Sequence, residues 1–186
     1  MGFAEMTEIQ EKTIPVMLAG HDVIAKAPTG TGKTCAFGIP VAEHILPENK
    51  YPQAVIMAPT RELAQQIAQE LEELTYFMPE VQVACVYGGA NMEKQAKRLA
   101  EGCQIVVATP GRLMDHYKHH SIDISHVTQI VLDEADEMLN MGFYKDVRHI
   151  IEMMKARKAL SMFSATISRE VMDIGWLYQH LSLIHI

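Results

Sequence analysis

Short apolar runs alternate with longer stretches of helical spacing along most of the chain. "DVIAKA" (22–27), "AVIMAP" (54–59), "VQVACVY" (81–87), "QIVVAT" (104–109), "QIVLD" (129–133) and "ALSMFS" (159–164) have the length of strands. Between most of them the period changes. Lys33 to Leu46 is apolar-periodic, and "RELAQQIAQELEELTYF" repeats Leu63, Ile67, Leu71 and Leu74 along one helical face. A first helix opens near Thr7, where "TEIQ" fits a capping box in which Thr7 and Gln10 satisfy each other's backbone N–H groups. Strands this apolar cannot face water on either side. The pattern therefore predicts an α/β fold, an open parallel sheet with helices on both faces, whose ligands bind beyond the carboxyl ends of the strands.

Composition narrows the class further. A chain of 186 residues, 48% hydrophobic and 21% charged, can bury a core of its own and is neither disordered nor fibrous. No apolar run approaches 18 residues, and "MGFAEMTEIQ" has neither a basic nor a long apolar region, so a membrane span or secretory signal is not expected. Cys35, Cys85 and Cys103, odd in number and set among apolar or small residues, read as reduced core thiols of a cytoplasmic protein. The nine histidines show no metal-ligand spacing, and "HYKHHS" (116–121) reads as a solvated helix end. A net charge of −7 argues against a nucleic-acid partner. Backbone N–H groups at helix starts can hold phosphates without a large basic surface, so the objection is not decisive.

Two acid- and glycine-bearing segments carry the chemistry. "APTGTGKT" (Ala27, Pro28, Thr29, Gly30, Thr31, Gly32, Lys33, Thr34) lies between a strand and a helix, where a phosphate-binding loop belongs. The glycines let successive N–H groups turn inward, Lys33 would reach the β and γ phosphates of ATP, and the Thr34 hydroxyl would join a Mg²⁺ shell. Ala27 replaces the first glycine of the strict pattern, which a strand-end residue with ordinary dihedrals tolerates. "IVLDEADEML" (130–139) then supplies carboxylates at the tip of another strand. Asp133 would hold Mg²⁺ through water, and Glu134 would orient or deprotonate a water attacking the γ-phosphate. The plainer reading, acidic residues at the start of a helix "EADEMLN", accounts for one carboxylate of the three.

"APTGTGKT", "PTREL" (59–63), "GG" (88–89), "TPGR" (109–112), "DEAD" (133–136) and "SAT" (164–166), in this order, resemble the N-terminal RecA-like domain of DEAD-box RNA helicases, over about Gly2 to Tyr178. The resemblance implies a P-loop NTPase domain that binds ATP, Mg²⁺ and the sugar–phosphate backbone of single-stranded RNA. Gln10 is similar to the family's adenine-reading glutamine, a role that competes with the capping box. Pro59, Thr60 and Arg61, with Thr109, Pro110, Gly111 and Arg112, open two helical stretches with an arginine in an unfavourable first turn, which suggests a bound anion. The resemblance makes that anion RNA phosphate, with Gly88 and Gly89 joining the two loops. It also implies that Ser164, Ala165 and Thr166 link the nucleotide site to RNA by bonding to Asp136. A second RecA-like domain, the source of arginines for the transferring phosphate, has no counterpart after Thr166, so the chain alone is expected to turn over ATP barely, if at all. Residues 1–179 are expected to form the domain. "HLSLIHI", continuing the tail 180–186, departs from the family and is expected to be truncated or foreign and without function. A different class of reading, a non-catalytic nucleotide- or partner-binding module whose acidic surface suits a basic protein, stays open. A DNA helicase or transporter ATPase sharing only the P-loop is disfavoured by "PTREL", "TPGR" and "SAT".

Overall fold

The computed structural model describes residues 5–180 and 184–185. All six expected strands form: β1 (Val23–Lys26), β2 (Ala54–Met57), β3 (Val83–Val86), β4 (Ile105–Ala108), β5 (Gln129–Leu132) and β6 (Ala159–Ser164). Every neighbouring pair is parallel, in the order β3-β4-β2-β5-β6-β1. A two-residue strand, β7 (Ile184–His185), extends the sheet beside Val23 and Ile24. With His180 it is the described part of the tail; residues 181–183 and 186 lie outside the described residues.

The helices are α1 (Glu8–Leu18), α2 (Lys33–Glu43), α3 (Arg61–Leu74), α4 (Met92–Ala100), α5 (Pro110–Lys118), α6 (Ala135–Met138), α7 (Tyr144–Met153) and α8 (Arg169–Tyr178). They cover both faces of the sheet. Side chains alternate across a strand, so Val23, Ala54 and Ile56 meet Ile9, Phe37, Val41, Ile67 and Leu71 of α1 to α3. Ile24, Val55 and Met57 point the other way, to Leu99, Leu113, Val147, Ile150 and Val171 of α4, α5, α7 and α8. Each such large side chain contributes roughly 1.5–3 kcal/mol by leaving water.

Three local expectations are corrected. The helix expected to reach Leu46 stops at Glu43, where the ring of the C-cap residue His44 bonds the Pro40 carbonyl at 2.8 Å. The expected helix "EADEMLN" is only the four residues of α6, which run into a π-helical turn (Leu139–Phe143) broken by Gly142 at φ 93°. His116 is not solvated. It faces the core three residues after Leu113, fully buried, with Nε2 3.0 Å from Gln95 Oε1. The three cysteines are free, and burial pushes the Cys85 thiol up to about 12 and Cys103 up to about 11. Among the described residues no helix is long and apolar enough to cross a membrane, and no cluster of three metal-ligating side chains occurs.

Candidate functional site

Strand order sorts the singled-out loops into two groups along the carboxyl edge of the sheet. β3, β4 and β2 lie side by side and are followed by Gly88–Gly89, Thr109–Arg112 and Pro59–Arg61. β5, β6 and β1 form the other half, followed by Asp133–Asp136, Ser164–Thr166 and Ala27–Thr34.

In the second group, Gly30 (φ 81°) and Gly32 (φ 80°) adopt left-handed conformations that wrap the loop around the start of α2, while Ala27 has no such dihedral. No side chain caps α2, and its first backbone bond is from Ala36 N–H to the Gly32 carbonyl, so the N–H groups of Lys33, Thr34 and Cys35 stay within the cradle. Lys33 is buried, and its Nζ lies 3.1 Å from Asp133 Oδ1. The two tips therefore converge although β6 separates their strands. Burial pushes the Asp133 carboxyl up, against the Lys33 ammonium and the Glu134 N–H, which donates to Oδ1 at 3.0 Å. Thr34, half buried on the next helical position, makes no side-chain hydrogen bond among the described residues.

Gln10 ties α1 to this loop. Its Oε1 accepts from Thr7 N–H at 3.0 Å, which is one half of the capping box, and its Nε2 donates to the Gly32 carbonyl at 3.2 Å. The Thr7 hydroxyl donates to the Thr31 carbonyl at 2.9 Å, and the Thr31 hydroxyl to the Pro28 carbonyl at 2.7 Å. Between α1 and the loop lies a cavity of about 310 Å³, lined by Thr7, Ile9, Lys12, Ala27, Pro28 and Thr31 among others. Thr29 and Gly30 stand exposed at the loop tip.

After Asp133 the chain turns sharply through Glu134, whose backbone is left-handed (φ 49°, ψ 50°) without being glycine. Such a conformation costs about 1–2 kcal/mol. It sets the Glu134 carboxylate beside Lys33, and burial raises its pKa, as do the Asp133, Asp136 and Glu137 charges, against the lysine. Asp136 opens toward β6. Its Oδ2 accepts from the Thr166 N–H at 2.9 Å and the Thr166 hydroxyl at 2.6 Å, and its own N–H donates to Ser164 Oγ at 3.0 Å. Burial pushes the Asp136 carboxyl up, but these bonds outweigh it and the net shift is downward. The Ser164 carbonyl accepts the Ala27 N–H at 2.8 Å, so one residue holds both the phosphate loop and the acidic turn. Ala165, between them, is exposed.

In the first group, the Thr60 hydroxyl caps α3 through Leu63 N–H, whereas Thr109 makes no capping bond with its side chain. Pro59 and Pro110 are buried, and Pro110 opens α5. Arg61 is half exposed, pairs with Glu62 at 3.4 Å, and lies alongside Gly89, where an added Cβ would sit 3.9 Å from its guanidinium. Gly88, Gly89 (φ 82°) and Gly111 leave open space beside the strip. Arg112 is turned inward. Its Nη1 donates to the Ala90 carbonyl at 2.9 Å and to Gln95 Oε1 at 3.0 Å, so of the two arginines Arg61 is the one facing solvent.

Gln95 is the residue that sequence reasoning missed. It accepts from Arg112, contacts His116 and donates to the Tyr87 carbonyl at 3.1 Å, bracing the Gly88–Gly89 turn from beneath. A signal was present, because a glutamine four residues before Leu99 falls on the buried face of α4.

Residues 7–174 match the family described as DEAD/DEAH box helicase. An ATP-dependent RNA helicase, CshA of Listeria monocytogenes, is 48% identical over 180 residues, covering 97% of this chain and 34% of that protein. Among solved structures, a hypothetical ATP-dependent RNA helicase from Sulfolobus tokodaii superposes with a TM-score of 0.91 at 39% identity, covering 100% of this chain and 54% of the other. The yeast DEAD-box splicing factor Prp28 gives 0.92 at 35% identity, over 98% of this chain and 46% of that one. The chain spans about a third of the length of the curated relatives it matches.

Proposed function

Because the chain belongs to the DEAD/DEAH box helicase family and carries that family's RecA-like sheet, we propose that it is the ATP-binding half of an ATP-dependent RNA helicase. The observation that carries the reading is the 3.1 Å approach of Lys33 to Asp133 at the mouth of an uncapped helix. A buried ammonium, free N–H groups and two left-handed glycines fit a triphosphate. The nearby cavity, with Ile9, Ala27 and Pro28 on its walls, fits a planar base. To read adenine, Gln10 gives up its bonds to Thr7 and Gly32.

On nucleotide binding Lys33 moves its charge from Asp133 to the β and γ phosphates, and Asp133 is released toward the Thr34 hydroxyl. Those two residues would hold Mg²⁺, Asp133 through water, and the ion would supply positive charge to the phosphates. Glu134 accepts a proton from the attacking water or orients it, a task helped by its raised pKa. Thr60, Arg61, Gly88, Gly89 and Gly111 offer backbone N–H groups, with one exposed guanidinium, to a single RNA strand; the Thr109 N–H is held by the Val86 carbonyl at 3.1 Å, and Thr109 offers its hydroxyl instead. Such contacts carry little base information, and 2′-hydroxyls distinguish RNA from DNA. Asp136, Ser164 and Thr166 tie the acidic turn to the phosphate loop within one half of the edge, and the coupling of the nucleotide site to RNA passes through them. Residues 1–179 constitute this half. A second RecA-like domain completes the groove, and its closure bends one strand and opens a short duplex.

The test is Glu134→Gln in a protein that joins this chain to a second RecA-like domain. ATP binding persists and RNA-stimulated hydrolysis falls by at least about a hundredfold; retained hydrolysis removes the assignment. Steady-state ATPase of the chain alone separates this reading from a non-catalytic module, since RNA-stimulated turnover at helicase rates excludes the module.

A further inference from the structure

The end of α3 farthest from the candidate site carries the most exposed aromatic pair of the described residues. Tyr76 is 75% exposed and Phe77 90% exposed, and their rings meet edge to face at 5.1 Å. Single exposed apolar side chains are ordinary; two large adjacent ones form a patch. Their setting is strongly one-signed. Residues 62–93 contain Glu62, Glu70, Glu72, Glu73, Glu80 and Glu93 and no lysine, arginine or histidine, so most of the net charge of −7 lies on this segment. Glu72 and Glu73 precede the aromatic pair by one helical turn, and all three of Glu72, Glu73 and Glu80 are exposed.

A cleft of about 430 Å³ continues from Pro79 and Glu80 and is also lined by Glu48, Glu101, Lys50 and Arg98. Arg98 is spent on the Gly102 and Val83 carbonyls and on Gln82. It also pairs with Glu101 at 4.0 Å, which leaves Lys50 to oppose Glu48 and Glu80.

We infer that this corner is a docking surface for a basic segment of another protein, which covers Tyr76 and Phe77 with an apolar side chain and places lysine or arginine among the cleft carboxylates. Charge complementarity selects the occupant, because the same field repels nucleic acid and anionic lipid. A second copy of this chain could offer its own basic stretch around Lys145, Arg148 and Lys155. Sedimentation of the chain separates such self-association from the binding of a different protein. The surface lies a helix length, about 20 Å, from the Thr60 end of α3, so a partner can sit there while the carboxyl edge is in use.

The inference is tested on the 186-residue chain by fluorescence anisotropy with a labelled arginine–leucine peptide, a glutamate–leucine peptide of equal length and a single-stranded RNA. The arginine peptide binds, in a salt-dependent way, and the glutamate peptide does not. Affinity falls at least about tenfold in Tyr76→Ser/Phe77→Ser and in Glu72→Lys/Glu80→Lys, while Glu170→Lys on α8 leaves it unchanged. These side chains are exposed, and the fold of each variant is checked by circular dichroism. Should the aromatic variant not fold, the charge reversal alone decides. Equal loss in Glu170→Lys, no loss in the paired variants, binding of the glutamate peptide, or competition by RNA overturns the proposal. So does self-association, seen by sedimentation, that disappears with the aromatic pair.

Discussion

Lys33 and Asp133 form a buried ion pair, and removing one partner strands the other. Lys33→Met is therefore expected to destabilise the chain by about 3 kcal/mol at neutral pH in urea unfolding. The loss shrinks as the solution is acidified: burial already holds Asp133 above its ordinary pKa, and the folded variant takes up the missing proton before the unfolded chain does. Asp136 has the opposite sign. Its folded pKa lies below the usual carboxylate value, so its contribution is complete above that value and is lost as pH falls through the folded pKa. Thr166→Val, which deletes the 2.6 Å hydroxyl bond, is expected to cost about 1 kcal/mol near pH 6 and progressively less in acid, read from urea midpoints across pH. The meeting of Asp133 with Lys33 was legible in the sequence because a carboxylate just past an apolar strand and a lysine in a glycine-rich loop both call for a charged partner, whereas the bonding of Asp136 to Ser164 and Thr166 was legible only through the family resemblance. His116 and Gln95 were not paired in advance. Their contact joins α4 to α5 across 21 positions, and nothing local in "HYKHHS" distinguishes its first histidine from the solvated ones.

At the scale of elements, the strands were legible because apolar runs bounded by turns leave few alternatives, and all six formed within two residues of their expected ends. Helix ends were less so, since α2 and α6 are stopped by a histidine back-bond and a left-handed glycine that periodicity does not register. The loop before α2 permits a comparison of two glycines with nearly equal dihedrals. At Gly30 an added Cβ meets open space, whereas at Gly32 it would lie 2.5 Å from Gln10 Nε2. Gly30→Ala is expected to lose about 1 kcal/mol from backbone strain alone. Gly32→Ala should lose more, because it also dislodges Gln10 and with it the anchorage of α1. Thermal unfolding of the two variants, with amide exchange over residues 7–13, gives the difference.

For the whole molecule, the decisive fact is the order β3-β4-β2-β5-β6-β1, which periodicity cannot supply because every strand has the same apolar character. It places the two sets of loops on adjoining halves of one edge, and the contact proposed there, RNA on a strip of N–H groups, needs few cations despite the net charge of −7. When this chain is joined to a second RecA-like domain, its own share of RNA binding should accordingly show a shallow salt dependence. Arg61→Ala should reduce the logarithmic slope by roughly 0.7, the value for one counterion on a single strand. Hydrolysis by the chain alone should fall about a thousandfold or more below that of the joined protein, the scale set by missing arginine fingers.

The left-handed Glu134 bears on how variants of the whole protein would be ranked. A heat-resistance selection blind to chemistry would install glycine there early, relieving the turn and discarding the carboxylate. At this position melting temperature and turnover should order the variants in reverse.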